Sequence, residues 1–417
     1  MREMKDSGVE WIGEIPKDWR IAKFKFFFSI IGGCGFKEEY QGASQGDYPF
    51  LKASDINGSE RTVSSAKNYV NHDLVQQERY NVVPSCSIII AKIGEALKKN
   101  HRKINTCDCI IDNNCEAFTL ISSADNDISY LYYVLSHIDM VWFDNGGTVP
   151  SVNNEKLRDF FLPYPSKATQ HRIADYLDAK CAQIDRAIAR QQEVIEKLKE
   201  YKLLRINEVL ADVVENACHL GFVGNFKNGL NFNNTTVGIV TKFLGVGDFK
   251  NNFAINKIDM LSDVITAEPI PHEYLLENND IVFVRSNGSK ELVGRSLMVQ
   301  DIEVPVSFSG FCIRFRNQRQ EILNPNYLLY FFRSPDFRKQ LEILSNGSNI
   351  NNINQVMLSK VEIRFPSLDA QERIVEFLDI FTVKIEEAIL LKDQIIDKLT
   401  EYKKSLIYEV VTGKREV

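Results

Sequence analysis

The feature that most limits how this 417-residue chain can fold is an internal repeat. Residues 165–210 align without a gap on residues 366–411, and 19 of these 46 positions are identical. Both copies begin with a proline, and a shared pattern comes five residues later, QHRIADYLD at 170–178 and QERIVEFLD at 371–379. Because a repeat of this kind fixes the architecture, the sequence predicts a variable domain and a helical segment, each present twice.

The repeat predicts four segments along the chain. They are a first variable domain at 1–162, a helical segment at 163–215, a second variable domain at 216–363 and a second helical segment at 364–417. A weaker match joins the domains themselves, since Gly33 and Phe36 meet Gly229 and Phe232 at an offset of 196 residues. The offset drifts along the domains, which indicates small insertions within a duplicated unit.

Apolar residues recur every three, four or seven positions in both helical segments, which predicts one long amphipathic helix in each. The first would run from about 168 to 210 and measure about 65 Å at 1.5 Å per residue. Two equivalent apolar stripes favour an antiparallel, pseudo-twofold pair. The predicted interface residues are Ile184, Ile188, Ile195, Leu198, Ile385, Ile389, Ile396 and Leu399. The alternative is that each helix belongs to the core of a separate domain, although most globular helices are shorter.

The variable segments combine short β-rich runs with short helical patterns. CSIIIAKI (86–93), DIVFVRS (280–286) and GFCIRFR (310–316) are typical of strands, whereas residues 130–138 and 326–334 have helical spacing. The predicted fold class is therefore α+β, with two pseudo-symmetric α/β domains separated by two long antiparallel coiled-coil helices.

Sequence motifs of common enzyme classes are missing. The chain has no GxxxxGK[ST] phosphate loop and no Pro-Pro pair, which a DNA amino-methyltransferase motif would contain. Glu-Tyr-Lys at 200–202 and 401–403 resembles half of a nuclease site, but both copies lie on the predicted helices. We therefore expect a non-catalytic chain without a cofactor of its own.

Eight scattered cysteines do not indicate a disulfide framework. Cys107, Cys109 and Cys115 are the only cluster, and no further Cys or His pair follows at zinc-site spacing. Buried strand cysteines explain the cluster better than a metal site does.

Basic residues follow the same predicted strand in both domains, where Lys92 and Arg285 coincide at an offset of 193 residues. Long donors on loops that carry glycine can track a phosphate backbone or pair with base edges. The candidate DNA-binding residues are Lys92, Lys98, Lys99, Arg102, Lys103, Arg285, Asn287, Ser289, Lys290 and Arg295. A solvated hairpin is the alternative for each loop alone.

The formal charge of −6 argues against general nucleic-acid affinity, so DNA binding has to come from local basic loops or a basic partner. No run of about 18 apolar residues indicates a membrane span. The first twenty residues lack the apolar core of a signal peptide, so a cytoplasmic location is expected.

These features together resemble the specificity subunit of type I restriction–modification enzymes. SGVEWIGEIPKDW (7–19), the two proline-led helix starts at 165–178 and 366–379, and the long helices with Glu-Tyr-Lys segments carry the resemblance. The first copy departs from the Gln-Glu pair that is usual at this helix start in the family, because His171 follows Gln170. The second copy keeps the pair, with Glu372 after Gln371.

The resemblance implies a non-enzymatic subunit whose two domains each read half of a split site in double-stranded DNA. It also implies two methylation subunits docked on the chain and, in complexes that restrict DNA, restriction subunits as well. S-adenosylmethionine, and ATP with Mg²⁺, are expected on those partners. The alternative from another class is a coiled-coil scaffold with no DNA role.

Overall fold

The computed structural model of the chain describes residues 2–58, 60–212, 215–232, 237–249, 254–255, 258–288, 291–345 and 351–417. Its contacts form two compact units, residues 1–190 with 395–417 and residues 191–394. Each unit contains one domain together with parts of both long helices. The four segment boundaries that the repeat suggests stay predictions.

The first domain holds strands β1–β12 and helices α1–α4. The strands are β1 Met4–Asp6, β2 Glu14–Pro16, β3 Arg20–Lys23, β4 Phe28–Gly32, β5 Tyr48–Leu51, β6 Thr62–Val63, β7 Asn68–Val70, β8 Ile88–Ala91, β9 Arg102–Asn105, β10 Ile110–Ile111, β11 Cys115–Leu120 and β12 Phe161–Tyr164. The helices are α1 His72–Gln77, α2 Gly94–Lys98, α3 Ile128–His137 and α4 Asn154–Arg158.

Helix α5, Lys167–Asp212, leads to the second domain, and α10, Leu368–Val411, follows it. The second domain's strands are β13 Asn216–His219, β14 Gly224–Asn228, β15 Ile239–Leu244, β16 Ala254–Ile255, β17 Ser262–Thr266, β18 Ile281–Val284, β19 Ser296–Val299, β20 Val306–Phe308, β21 Cys312–Asn317 and β22 Glu362–Phe365. Its helices are α6 Leu220–Val223, α7 Pro325–Phe331, α8 Pro335–Leu344 and α9 Gln355–Ser359.

The two domains have the same sheet topology. Their five-stranded sheets run β4-β11-β8-β9-β6 and β14-β21-β18-β19-β16, with only the last strand parallel to its neighbour. Their three-stranded sheets, β10-β5-β7 and β20-β15-β17, each combine one parallel and one antiparallel pair. The predicted pair of related α/β domains is thereby confirmed.

The central strands β8 and β18 are buried on both faces, which explains their unbroken apolar sequences. Successive side chains of a strand point to opposite faces. Ile88 and Ile90 therefore pack into the cluster that contains α3, whereas Ile89 packs against the residues of the three-stranded sheet. Phe283 and Val282 divide between the two faces of β18 in the same way.

Helix α5 has 46 residues, close to the extent of about 168 to 210 predicted for it, and α10 has 44. In the first unit, Lys403 Nζ lies 2.6 Å from Asp185 Oδ1, so the early part of α5 meets the late part of α10. In the second unit, Lys202 Nζ lies 2.6 Å from Glu386 Oε1, so the late part of α5 meets the early part of α10. The antiparallel direction predicted from the sequence is confirmed.

Candidate nucleic-acid interface

Lys92 and Arg285 are held by the same backbone contacts in the two domains. Each residue directly follows a central strand, β8 or β18. The amide of Lys92 donates to Asn114 O at 2.8 Å, and that of Arg285 donates to Phe311 O at 2.7 Å. Their carbonyls accept from Val152 N and Ile353 N, at 3.0 and 2.9 Å. Duplication has thus preserved the position of a basic side chain at the end of each central strand.

The surroundings of these two basic side chains differ. Lys92 Nζ lies 3.4 Å from Oε1 of Glu116, whose side chain is only 5% exposed. Asn154 Nδ2 donates to the same carboxylate oxygen at 2.9 Å. In the second domain Ile313 occupies the strand position that corresponds to Glu116, and it is buried. Arg285 is half-buried and makes no side-chain hydrogen bond or ion pair within the described ranges.

The basic run after Lys92 does not form one loop. Lys98 ends α2 and lies 2.6 Å from Glu95, while Lys99 follows it on the surface. Asn100 lies between α2 and β9 and has a φ of 54°, a left-handed backbone conformation that does not continue the helix. Lys98 and Lys99 are therefore exposed, and DNA contact by them stays a prediction.

The loop prediction is wrong for Arg102 and Lys103, which lie on β9 and are each only 6% exposed. The Arg102 guanidinium donates to Asn100 Oδ1 at 2.6 Å and to the carbonyl of Ile138 at 3.1 Å. Burial lowers the pKa of Arg102 to about 10. A guanidinium enclosed in this way cannot reach DNA without opening the domain.

In the second domain, Asn287 is half-buried beside Arg285, and Arg295 is exposed. Arg295 Nη1 donates to Phe249 O at 3.1 Å. Ser289 and Lys290 lie outside the described residues. DNA contact by Lys92, Arg285, Asn287 and Arg295 therefore stays a prediction.

The predicted residues of the helix pair lie on the inward faces of α5 and α10. Ile184, Ile195 and Ile385 are at most 9% exposed. Ile188, Leu198, Ile389, Ile396 and Leu399 are half-buried. The Glu-Tyr-Lys segments lie on these helices, where their lysines form the two ion pairs between α5 and α10.

The repeat also contains contacts whose role the sequence did not show. The Gln170 amide accepts from Asp127 N at 2.9 Å and donates to Pro165 O at 3.0 Å, and it is fully buried. Gln371 makes the same contacts with Asn324 N and Pro366 O, at 2.8 and 2.9 Å. These glutamines connect each long helix to its domain, and only their coincidence in the repeat could have indicated it.

A tyrosine–aspartate contact is repeated as well. Tyr133 donates to Asp178 at 2.6 Å, and Tyr330 donates to Asp379 at 2.5 Å. Arg61 adds an ion pair to Asp178 and lies 5.0 Å from the Tyr133 ring centre. Both tyrosines come from the short helices recognised by their spacing, but their partners are more than forty residues away.

No group of three or more His, Cys, Asp or Glu residues that could hold a metal ion occurs in the described part of the chain. Cys109 and Cys115 are buried, and burial raises the pKa of Cys109 to about 12. Within the same ranges, no helix is long and apolar enough to cross a membrane.

Comparison with known proteins relates most of the chain to one family. A family model described as the type I restriction modification DNA specificity domain matches residues 16–199 and again 218–400. The type I restriction enzyme StySPI specificity subunit of Salmonella potsdam is 30% identical over 164 residues, 39% of this chain and 35% of that protein. The EcoKI specificity subunit of Escherichia coli is 28% identical over 165 residues, with the same coverage. The chain thus spans about a third of the length of these curated relatives.

Solved structures agree on the fold. One chain, from work on complex assembly and conformational transition of the type I R-M system, has a TM-score of 0.70 at 15% identity and covers 96% of this chain and 99% of its own. The HsdS subunit from Thermoanaerobacter tengcongensis has a TM-score of 0.51 at 16% identity, covering 96% and 98%. Since the same specificity-domain model accounts for both halves of the sequence, the chain belongs to the family of type I restriction–modification DNA specificity proteins.

Proposed function

We propose that this chain selects the DNA sequence for a type I restriction–modification complex, with each domain reading one half of a bipartite site. The observation that carries the proposal is the duplicated position of Lys92 and Arg285, held by equivalent backbone contacts at the ends of equivalent strands. Arginine can pair with guanine through two hydrogen bonds, and lysine can contact guanine or phosphate. The differing neighbours, Glu116 and Ile313, favour different half-sites for the two domains.

The length of the long helices supports an unread gap between the half-sites. A helix of 46 residues is about 69 Å long, or about two turns of a duplex whose turn measures about 34 Å. Reading both halves from one side of the duplex favours a gap of about one turn. The helices then act as the spacer that fixes the distance between the two contacts.

Two methylation subunits are proposed to dock on the helices. Tyr201 and Tyr402 occupy the same repeat position on α5 and α10, and their side chains are 52% and 49% exposed. Aromatic residues that remain exposed are typical of protein interfaces. Their duplication favours a partner that binds twice, and restriction subunits join where the complex also cleaves DNA.

The chemistry is proposed to reside on those partners, in the cytoplasm. S-adenosylmethionine would be held by the methylation subunits, and ATP with Mg²⁺ by the restriction subunits. The chain itself then contributes binding and positioning only.

Reconstitution with the methylation subunit of the same system tests this proposal. We expect the purified chain alone to transfer no labelled methyl group to plasmid DNA and to leave it uncut, and the assembled complex to methylate adenine at one gapped sequence. Methyl transfer by the chain alone would overturn the non-catalytic assignment. An assembled complex that binds DNA without sequence preference would favour the scaffold alternative.

A further inference from the structure

The segments 20–33 and 216–229 have the same succession of elements in the two domains. Strands β3 and β13 are followed by one helical turn, Phe24–Phe26 or α6, and then by strands β4 and β14. Their sequences have diverged so far that only two of these positions are identical. The identical pairs are Gly33 with Gly229, and Phe26 with Phe222.

The glycine pair has a structural reason inside the chain. A Cβ atom at Gly33 would lie 1.8 Å from the carbonyl oxygen of Asp112, and one at Gly229 would lie 2.2 Å from that of Ser309. Any larger residue would push two backbone segments apart.

The next matched pair also has a reason within the fold. The Phe36 ring stacks on Phe50 with their centres 3.8 Å apart, and Phe232 meets Phe243 at 5.7 Å. Matches between the diverged domains are thus explained by packing wherever the side chain points inward.

Phe26 and Phe222 have no such explanation. Their side chains are 64% and 65% exposed, while the next residues, Phe27 and Val223, are almost completely buried. Arg319 lies 5.5 Å from the Phe222 ring centre, but neither phenylalanine packs into a hydrophobic cluster of the described residues. Two phenylalanines kept outside at the same position indicate a contact with another molecule.

The position of these rings favours a protein over DNA. Phe26 lies just before the start of β4, where Phe28 pairs with Leu120. Lys92 lies at the opposite end of the sheet, where Gly32 pairs with Glu116. Phe222 and Arg285 lie at opposite ends of their sheet in the same way.

The charges near Phe26 also favour a protein. Lys23 and Lys25 lie 3.2 and 2.8 Å from the exposed carboxylate of Asp159, which offsets one of their two positive charges and would itself repel a phosphate.

We infer that Phe26 and Phe222 are equivalent anchors that each insert into an apolar pocket of a protein partner bound in two identical copies, one to each domain. This inference rests on the proposed function, in which the partner is the methylation subunit. Buried aromatic anchors commonly dominate the affinity of an interface, because a ring that fills a pocket loses all its contacts on truncation. Each domain would therefore hold its copy through contacts separate from the tyrosines on the helices.

Native mass spectrometry and titration calorimetry of the full chain with the methylation subunit test the inference. We expect Phe26→Ala and Phe222→Ala each to weaken one of two binding events at least about tenfold, a typical loss for an interface anchor. The double variant should weaken both. Met260→Ala is the matched control, because Met260 is 80% exposed and belongs to neither repeat position.

The outcomes separate the inference from the function on which it rests. If the double variant binds two subunits with the affinity of the unmodified chain, the anchor role is overturned and the proposed function stands. If the unmodified chain binds no methylation subunit, the proposed function fails and the inference with it. Unchanged thermal unfolding of the variants, expected for exposed rings, shows that any loss is not due to misfolding.

Discussion

The two domains use one backbone plan to present two different polar surfaces. At the end of the central strand, Lys92 meets a buried carboxylate of Glu116, whereas Arg285 has the apolar Ile313 at the corresponding position. The contacts that join each long helix to its domain do not differ in this way, since Gln170 and Gln371 make the same hydrogen bonds. Duplication has thus preserved the connection between helix and domain while the strand-end chemistry diverged, as expected if the halves read different sequences.

The largest effect should come from the core that the two halves share. Leu177 and Leu378 are equivalent and fully buried beneath their domains. We expect Leu177→Ala and Leu378→Ala each to lower the free energy of unfolding by about 2–5 kcal/mol, through lost burial and a cavity. Urea unfolding measures this, with exposed Leu204→Ala as control. A loss in only one of the two variants would contradict the structural equivalence of the halves.

A smaller effect should distinguish the two strand ends. Lys92→Ala removes the cation next to Glu116, whose Oε2 has no hydrogen-bond partner within the described residues. We expect this change to cost about 1–3 kcal/mol of folding stability, because a buried charged group loses its partner. Arg285→Ala should change stability by less than about 0.5 kcal/mol.

Thermal and urea unfolding of the two variants test this difference. Equal stability of both variants would mean that Lys92 is as free as Arg285, and the contrast between the strand ends would be lost.

The repeated tyrosine contacts should give nearly equal, modest losses. Tyr133→Phe and Tyr330→Phe each remove a hydroxyl that donates to an aspartate. The Asp178 side chain is 45% exposed, so we expect about 1 kcal/mol in each case rather than the larger value of an enclosed charged contact. Tyr201→Phe, on the exposed helix surface, is the control for the same chemical change. Losses that differ severalfold would show that the two helix–domain junctions are not equivalent.

The smallest effect concerns a position where the two copies of the repeat differ in charge, His171 against Glu372. The hydrogen bond to Asp127, 3.0 Å away, and the nearby charge of Asp175 raise the pKa of His171 above its ordinary value. A raised pKa in the folded state means that the protonated form stabilises the fold at low pH. This contribution is complete below the unfolded-state pKa and is lost as the pH rises through the folded-state pKa.

An NMR titration of the His171 imidazole measures that pKa directly. The thermal midpoint of the unmodified chain should fall slightly relative to His171→Gln as the pH rises through it. A pKa at or below the ordinary histidine value would contradict the contact with Asp127.

The long helices and central strands could be predicted because their residues follow a local period. Ile88 to Ala91 form an uninterrupted apolar run, and the helical stripes recur over more than forty residues. Local patterns of this kind are decided by neighbours along the chain.

The candidate site was predicted less well, because tertiary contacts decide which basic residues reach the surface. The run from Lys98 to Lys103 contains nothing that distinguishes an exposed lysine from a buried arginine. The difference arises where Arg102 meets the carbonyl of Ile138, 36 residues along the chain. Glu116 was missed for the same reason, since its partners Lys92 and Asn154 come from separate segments.

Binding selection from random DNA with the assembled complex is the most direct test that each domain reads its own half-site. For the unmodified complex we predict two short conserved sequences separated by an unread gap of about one helical turn. Replacing Arg285 and Arg295 with Ala should relax the preference in one half only. A lost base contact would cost about 1–3 kcal/mol there, whereas a lost phosphate contact would weaken all sequences alike. A continuous target, or relaxation of both halves by these second-domain changes, would contradict the division of reading between the domains.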